Sequence, residues 1–72
     1  MPQIDMTATG RNIKQIAANK GMKAKDIQAV FGFGTPQTVF KWFRGVTMPT
    51  IDNMVVLAKM FDTTIDAIII TV

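Results

Sequence analysis

The chain contains no cysteine, histidine, glutamate or tyrosine. Without cysteine it can form neither a disulfide nor a thiolate metal site, and a reducing, cytoplasmic location is expected. Without histidine or glutamate, a zinc site or acid–base catalysis would depend on aspartate and lysine, so we expect no metal, no cofactor and no enzyme. No stretch approaches the ~20 consecutive apolar residues of a membrane span, and the N-terminus lacks a secretory signal pattern.

Charge is distributed unevenly along the 72 residues. Residues 10–45 hold seven of the eight lysines and arginines against one acid, Asp26, whereas residues 46–72 hold one lysine against three aspartates. A basic stretch of this kind indicates a polyanion such as DNA as the partner, or else a solvated basic surface. Charge alone favours neither interpretation.

Apolar spacing and helix-capping residues predict five helices in one compact all-α domain spanning residues 1–72. The expected helices cover about residues 7–19, 23–31, 35–44, 50–61 and 63–69. Gly21, Gly32 and Gly45 are expected to end the first three helices. Thr35 is expected to cap the third, with Pro36 at its first helical position.

The side chains expected to form the core follow helical spacing. They are Ile13, Ile16 and Ala17 in the first helix, Ile27, Val30 and Phe31 in the second, Ile51, Met54, Leu57, Ala58 and Phe61 in the fourth, and Ile65, Ile68 and Ile69 in the fifth. The β-branched run over residues 68–72 could become extended after one helical turn.

The most informative stretch is residues 23–44, where a short helix, a glycine-containing turn and a second helix follow one another, as in a DNA-reading helix-turn-helix. Val39, Trp42 and Phe43 occur at helical spacing and are expected to pack inward. The opposite face then bears Pro36, Gln37, Phe40, Lys41 and Arg44, with Thr38 at its edge. Glutamine can pair with adenine, lysine can donate to guanine, and backbone N–H groups near Thr35 could hold a phosphate.

Short motifs along the chain also occur in an order and spacing typical of one family. They are Gly10–Lys14, Lys20–Met22, Asp26-Ile27, Phe31-Gly32, Val39 with Trp42 and Arg44-Gly45, Pro49–Met54, Leu57-Ala58, Thr64–Asp66 and Ile68-Ile69. Over residues 10–69 the chain resembles the xenobiotic-response-element (XRE) family of bacterial and phage regulators, which are lambda-repressor-like or Cro-type helix-turn-helix proteins. The resemblance implies a five-helix transcriptional regulator, expected to be a repressor, acting as a homodimer on a near-palindromic operator in double-stranded DNA.

The resemblance also implies which residues touch DNA. The base contacts fall on Pro36, Gln37, Thr38, Phe40 and Lys41, and the phosphate contacts on Lys23, Lys25, Thr35 and Arg44. Family members commonly have Ser-Gln where this chain has Lys23-Ala24, so the phosphate contact of that glutamine is lost. Lys23 or Lys25 could replace it as a point charge.

Three further departures from the family pattern concern the scaffold. Ala17 and Phe43 stand where members often have an arginine–glutamate pair, which indicates that packing replaces a buried ion pair. The turn at Phe33-Gly34 is one residue longer than usual, and Gln28 occupies a position that favours alanine. Together these differences could tilt the recognition helix.

The outward phenylalanine, Phe40, has three possible explanations. It could contact a thymine methyl group, contact another protein, or rotate inward into the space of the longer turn. The first two are left unranked.

Apolar residues beyond the expected core indicate an interface. The predicted homodimer contacts are Val56, Met60, Ile70 and Val72. The alternatives are a tail that covers its own core, or a place where a further domain was attached. Phe40 and the apolar tail also support a second function, a protein-interaction module such as the antitoxin half of a toxin pair, which the basic stretch disfavours.

Overall fold

The computed structural model describes residues 2–72, which form five α-helices around one core. They are α1 (Met6–Asn19), α2 (Ala24–Phe31), α3 (Gln37–Arg44), α4 (Ile51–Met60) and α5 (Ile65–Ile68). The all-α, five-helix prediction is confirmed. Within the described residues, every helix is too short or too polar to cross a membrane.

Capping side chains and glycines set most helix boundaries. The Asp5 carboxylate accepts from the Ala8 N–H at 3.0 Å and begins α1, a cap that sequence reasoning missed. The Thr50 and Thr64 hydroxyls accept backbone N–H groups at the starts of α4 and α5, at 3.3 and 3.1 Å. Gly32 and Gly45 end α2 and α3 in the left-handed conformation, with φ of 69° and 72°. The two glycines were predicted to end these helices.

The third helix begins later than expected. Pro36, with φ −79° and ψ 0°, is its N-cap, and Gln37 is its first helical residue. The predicted cap, Thr35, lies one residue earlier, where its hydroxyl accepts the Gln37 N–H at 3.3 Å. A threonine hydroxyl can reach the N–H two residues on, so Thr35 stabilises the turn that leads into α3 instead of capping the helix.

The core draws on all five helices. Its buried apolar residues are Ile13, Ala17, Ala24, Ile27, Val39, Trp42, Met54, Leu57, Ala58, Phe61 and Ile68. Two predicted core residues are wrong, because Val30 is 57% exposed and Ile51 is 80% exposed. Val30 lies off the face of α2 that buries Ala24 and Ile27, and Ile51 lies in the first turn of α4, at the edge of an open apolar groove.

The C-terminal segment leaves α5 as extended backbone, as its β-branched residues predicted. It pairs antiparallel with the N-terminal segment through a bridge between Ile4 and Thr71. The Asp5 N–H donates to the Ile70 carbonyl at 2.8 Å, and the Val72 N–H donates to the Gln3 carbonyl at 2.8 Å. Residues 3–5 and residues 70–72 are therefore joined by backbone hydrogen bonds.

Two polar side chains of α1 fix this segment. The buried Thr9 hydroxyl accepts the Ile70 N–H at 2.9 Å and donates to the Ile70 carbonyl at 3.3 Å. The Asn12 Nδ2 atom donates to the carbonyls of Ala67 and Ile68, both at 2.9 Å. Asn12 thus satisfies carbonyl groups at the end of α5, which have no partner within the helix.

Backbone-to-backbone packing of α1 on α3 positions the third helix. A β-carbon on Gly10 would overlap the Trp42 carbonyl oxygen and would lie 2.8 Å from the Gly45 nitrogen. A β-carbon on Gly45 would lie 2.6 Å from the Met6 carbonyl oxygen and 2.7 Å from the Thr7 α-carbon. Only glycine leaves room for this close approach, so the packing of α1 against α3 sets the position of α3.

Candidate nucleic-acid interface

One side of α3 is anchored in the core and the other faces solvent. Val39 and Trp42 are buried, whereas Gln37, Lys41 and Arg44 are exposed. Residues four apart lie one above the other on a helix, so Gln37 and Lys41 project side by side. The predicted separation of inward and outward residues in α3 is confirmed for these five, and the contacts of the outward ones with DNA stay predictions.

The remaining predicted base contacts flank this exposed side. Thr38 is exposed on one flank, Phe40 is 40% exposed on the other, and Pro36 is half-buried at the N-cap. The Phe40 ring lies edge-on to Phe43, with ring centroids 6.4 Å apart. Phe40 has not rotated into the longer turn, which corrects one of the three explanations for it.

Phe33, in the turn between α2 and α3, packs against aromatic residues of both helices. Its ring stacks on Phe31 at 5.3 Å and lies edge-on to Trp42 at 5.7 Å, and Phe31 is also edge-on to Trp42 at 5.5 Å. The Gln28 Nε2 atom donates to the Phe33 carbonyl at 3.0 Å. Gln28 and Phe33, noted in the sequence only as departures from the family, together hold the turn against α3.

The predicted phosphate contacts lie in different places. Lys23 and Lys25 are exposed at the start of α2, where the Asp26 carboxylate accepts the Lys23 backbone N–H at 2.7 Å. Arg44 is exposed at the end of α3. Thr35 binds the Gln37 N–H, so one of the N–H groups expected to face a phosphate already has a partner.

Two of the predicted phosphate-contacting residues line one open cavity of about 450 Å³. Lys23 and Arg44 both line it, and so does Lys14 from α1, which sequence reasoning did not single out. Lys25 and Thr35 are not among its lining residues. The sequence alone did not indicate that Lys14 lies beside α3, because its place there depends on how α1 packs.

The predicted dimer contacts differ in exposure and do not line a common cavity among the described residues. Val56 and Ile70 are each 37% exposed, Val72 is 85% exposed, and Met60 packs against the core. Ile70 borders a groove formed with α1 residues. The homodimer stays a prediction.

Comparison with known protein families supports the interpretation of α2 and α3. A helix-turn-helix family model matches residues 13–68, which include all of α2 to α5 and half of α1. Comparisons with curated proteins and with solved structures gave no significant match. The matched family consists of DNA-binding regulators and is not a family of enzymes. The chain belongs to the XRE-type, lambda-repressor-like helix-turn-helix family and is a DNA-binding regulator.

Proposed function

We propose that the protein is a sequence-specific transcriptional repressor that reads the major groove with α3. The observation that carries this proposal is the division of α3: Val39 and Trp42 are buried, while Gln37 and Lys41 are exposed one turn apart. A helix anchored in this way can enter the groove without losing its core contacts. Bound at an operator, the domain would exclude polymerase.

The outward side chains match the chemistry of base edges in the major groove. Gln37 can form two hydrogen bonds with adenine, and Lys41 can donate to the O6 and N7 atoms of guanine. Phe40, on the flank, can contact a thymine methyl group, and Thr38 and Pro36 border the same surface. Each good polar pair contributes about 1–3 kcal/mol of discrimination against a wrong base.

Positive charge supports the same proposal. Lys23, Lys25 and Arg44 are exposed around the helix-turn-helix and can neutralise phosphates, and the Thr35 segment lies at the start of α3. Neutralised phosphates release counterions, so the binding constant should fall steeply as salt rises. Phosphate contacts hold the domain in register, and the α3 side chains then select the sequence.

The substitution Lys41→Ala tests the assignment of α3 as the reading helix. We expect the variant to lose preference at one base pair by about tenfold or more, since a base contact disappears while the phosphate contacts remain. The measurement is selection of bound sites from a random duplex pool, followed by binding constants for the preferred site and its single-base variants.

The matched control for this test is Lys25→Ala, which removes the same charge from the start of α2. This variant should bind all sequences more weakly and keep the preferred sequence. An unchanged preferred sequence for Lys41→Ala would show that α3 does not read the bases as proposed.

A second candidate is a protein-interaction module, such as the antitoxin half of a toxin pair. The specific observation in its favour is the exposed Phe40 ring beside Phe43 on the outer flank of α3. A mobility-shift experiment with random duplex at low salt separates the two candidates. Binding that weakens with salt supports the regulator, and no binding to any duplex supports the module.

A further inference from the structure

We infer that the cavity between α1, the start of α2 and α3 seats one strand of the DNA sugar–phosphate backbone, with Lys14 as an additional phosphate contact. The inference rests on the proposed function and extends it to a residue of α1. Three observations carry it: the charges around the cavity, the apolar surface within it, and its position beside the reading face.

The cavity gathers cationic side chains from three helical elements. Lys14 comes from α1, Lys23 from the N-cap of α2, and Arg44 from the last turn of α3. No carboxylate is among the described residues that line the cavity. The three cationic side chains repel one another. A polyanion that passes between them offsets this repulsion, because it attracts all three.

Apolar side chains complete the lining of the cavity. Ala24, Phe40 and Phe43 line it, and the two phenylalanine rings lie edge-on to each other with centroids 6.4 Å apart. The carbon atoms of a deoxyribose can pack on such a surface while the flanking phosphates reach Lys14, Lys23 and Arg44.

The position of the cavity fits a helix lying in the major groove. The groove is about 12 Å wide, and an α-helix with its side chains is about 10–12 Å across, so a backbone strand must pass along each flank of an inserted helix. Phe40 and Arg44 lie one turn apart on one flank of α3, and both line the cavity. A duplex that receives Gln37 and Lys41 would therefore place a backbone strand at this cavity.

The test compares Lys14→Ala with Lys59→Ala, which removes the same charge from an exposed lysine of α4 outside the cavity. Binding constants for one selected duplex are measured as a function of salt concentration. For Lys14→Ala we expect the negative slope of log binding constant against log salt to become shallower by about 0.9 for each bound protomer, the value for one lost phosphate contact. The preferred sequence should not change, Lys59→Ala should keep the wild-type slope, and Lys14→Arg should restore it.

The outcomes separate this inference from the proposed function. If the wild-type protein binds no duplex, the proposed function fails and the inference fails with it. If the wild type binds with a clear sequence preference but Lys14→Ala has the same slope as Lys59→Ala, the reading helix stands and the backbone seat is wrong. A changed base preference in Lys14→Ala would also overturn the inference, because a phosphate contact carries no sequence information.

Discussion

Individual polar side chains hold separate segments of this small domain together. The hydroxyl of Thr9, the amide of Asn12 and the amide of Gln28 each bind backbone groups that no regular helix hydrogen bond satisfies. Such groups are costly when they lose their partners, so these residues contribute more to the fold than their size suggests.

Replacing Thr9 by valine should destabilise the domain by about 1–2 kcal/mol, because the Ile70 N–H loses its acceptor. Urea unfolding measures the loss, and amide hydrogen exchange at Ile70 reports on the bond itself. In the control Thr9→Ser, which keeps the hydroxyl, Ile70 should stay protected relative to global unfolding. Equal protection of Ile70 in the valine and serine variants would contradict the role assigned to the hydroxyl.

The sequence predicted some residue positions and not others for a physical reason. The outward placement of Gln37 and Lys41 follows from helical periodicity within eight residues, which is local information. The partners of Thr9 and Asn12 lie 55 to 61 residues away, so they become visible only when α1 meets the C-terminal segment. The partner of Gln28 is the Phe33 carbonyl, only five residues further along the chain. This contact nevertheless depends on the shape of the turn, which the sequence did not reveal.

Among the helices, α1 and α3 pack too closely at Gly10 to admit a side chain there. Gly10 lies where the backbones of the two helices touch, and a methyl group there would meet the Trp42 carbonyl and the Gly45 nitrogen. Backbone atoms cannot move aside as a flexible side chain can. The position of α3 therefore depends on a residue in another helix.

Replacing Gly10 by alanine should lower stability by about 3 kcal/mol or more, since overpacking would separate α1 from α3. The matched control is Gly34→Ala, because a β-carbon at Gly34 meets no atom within 4 Å. Thermal unfolding followed by circular dichroism provides the measurement. Similar melting temperatures for the two variants would argue against the close approach of α1 and α3.

The sequence predicted where helices begin and end better than which of their side chains are buried. Glycine and threonine caps act over a few residues, so the ends of α2 and the start of α4 could be located from the sequence. Burial depends on where neighbouring elements end, which explains why Val30 and Ile51 were wrongly expected in the core. The place of Phe33 against Trp42 likewise required the three-dimensional turn.

At the scale of the whole molecule, the predicted homodimer determines how two reading helices would be spaced. Two-fold symmetry can set two such helices about 34 Å apart, one turn of DNA. The exposed apolar residues Val56 and Val72 supply candidate contact surface. A dimer would also double the number of phosphates bound and steepen the dependence on salt.

Light scattering at high micromolar concentration should give a mass near twice the 7.9 kDa of one chain. Substituting Val56 by lysine should return the mass to that of a monomer, because burying an unpaired charge in an apolar contact is unfavourable. The control Val46→Lys changes an exposed valine outside the predicted interface and should leave the dimer intact. A wild-type mass equal to one chain would argue against the dimer.

The antiparallel pairing of residues 3–5 with residues 70–72 has a consequence for how this domain can be connected to other polypeptides. Because the Val72 nitrogen and the Gln3 carbonyl oxygen are 2.8 Å apart, a segment fused to either terminus would leave the domain from the same spot. A short peptide bridge could close the backbone into a ring, and new termini could then be opened at Gly21, which is exposed and where an added β-carbon would meet no atom within 4 Å. The order of the helices along the chain could thus be permuted while their arrangement in space is retained.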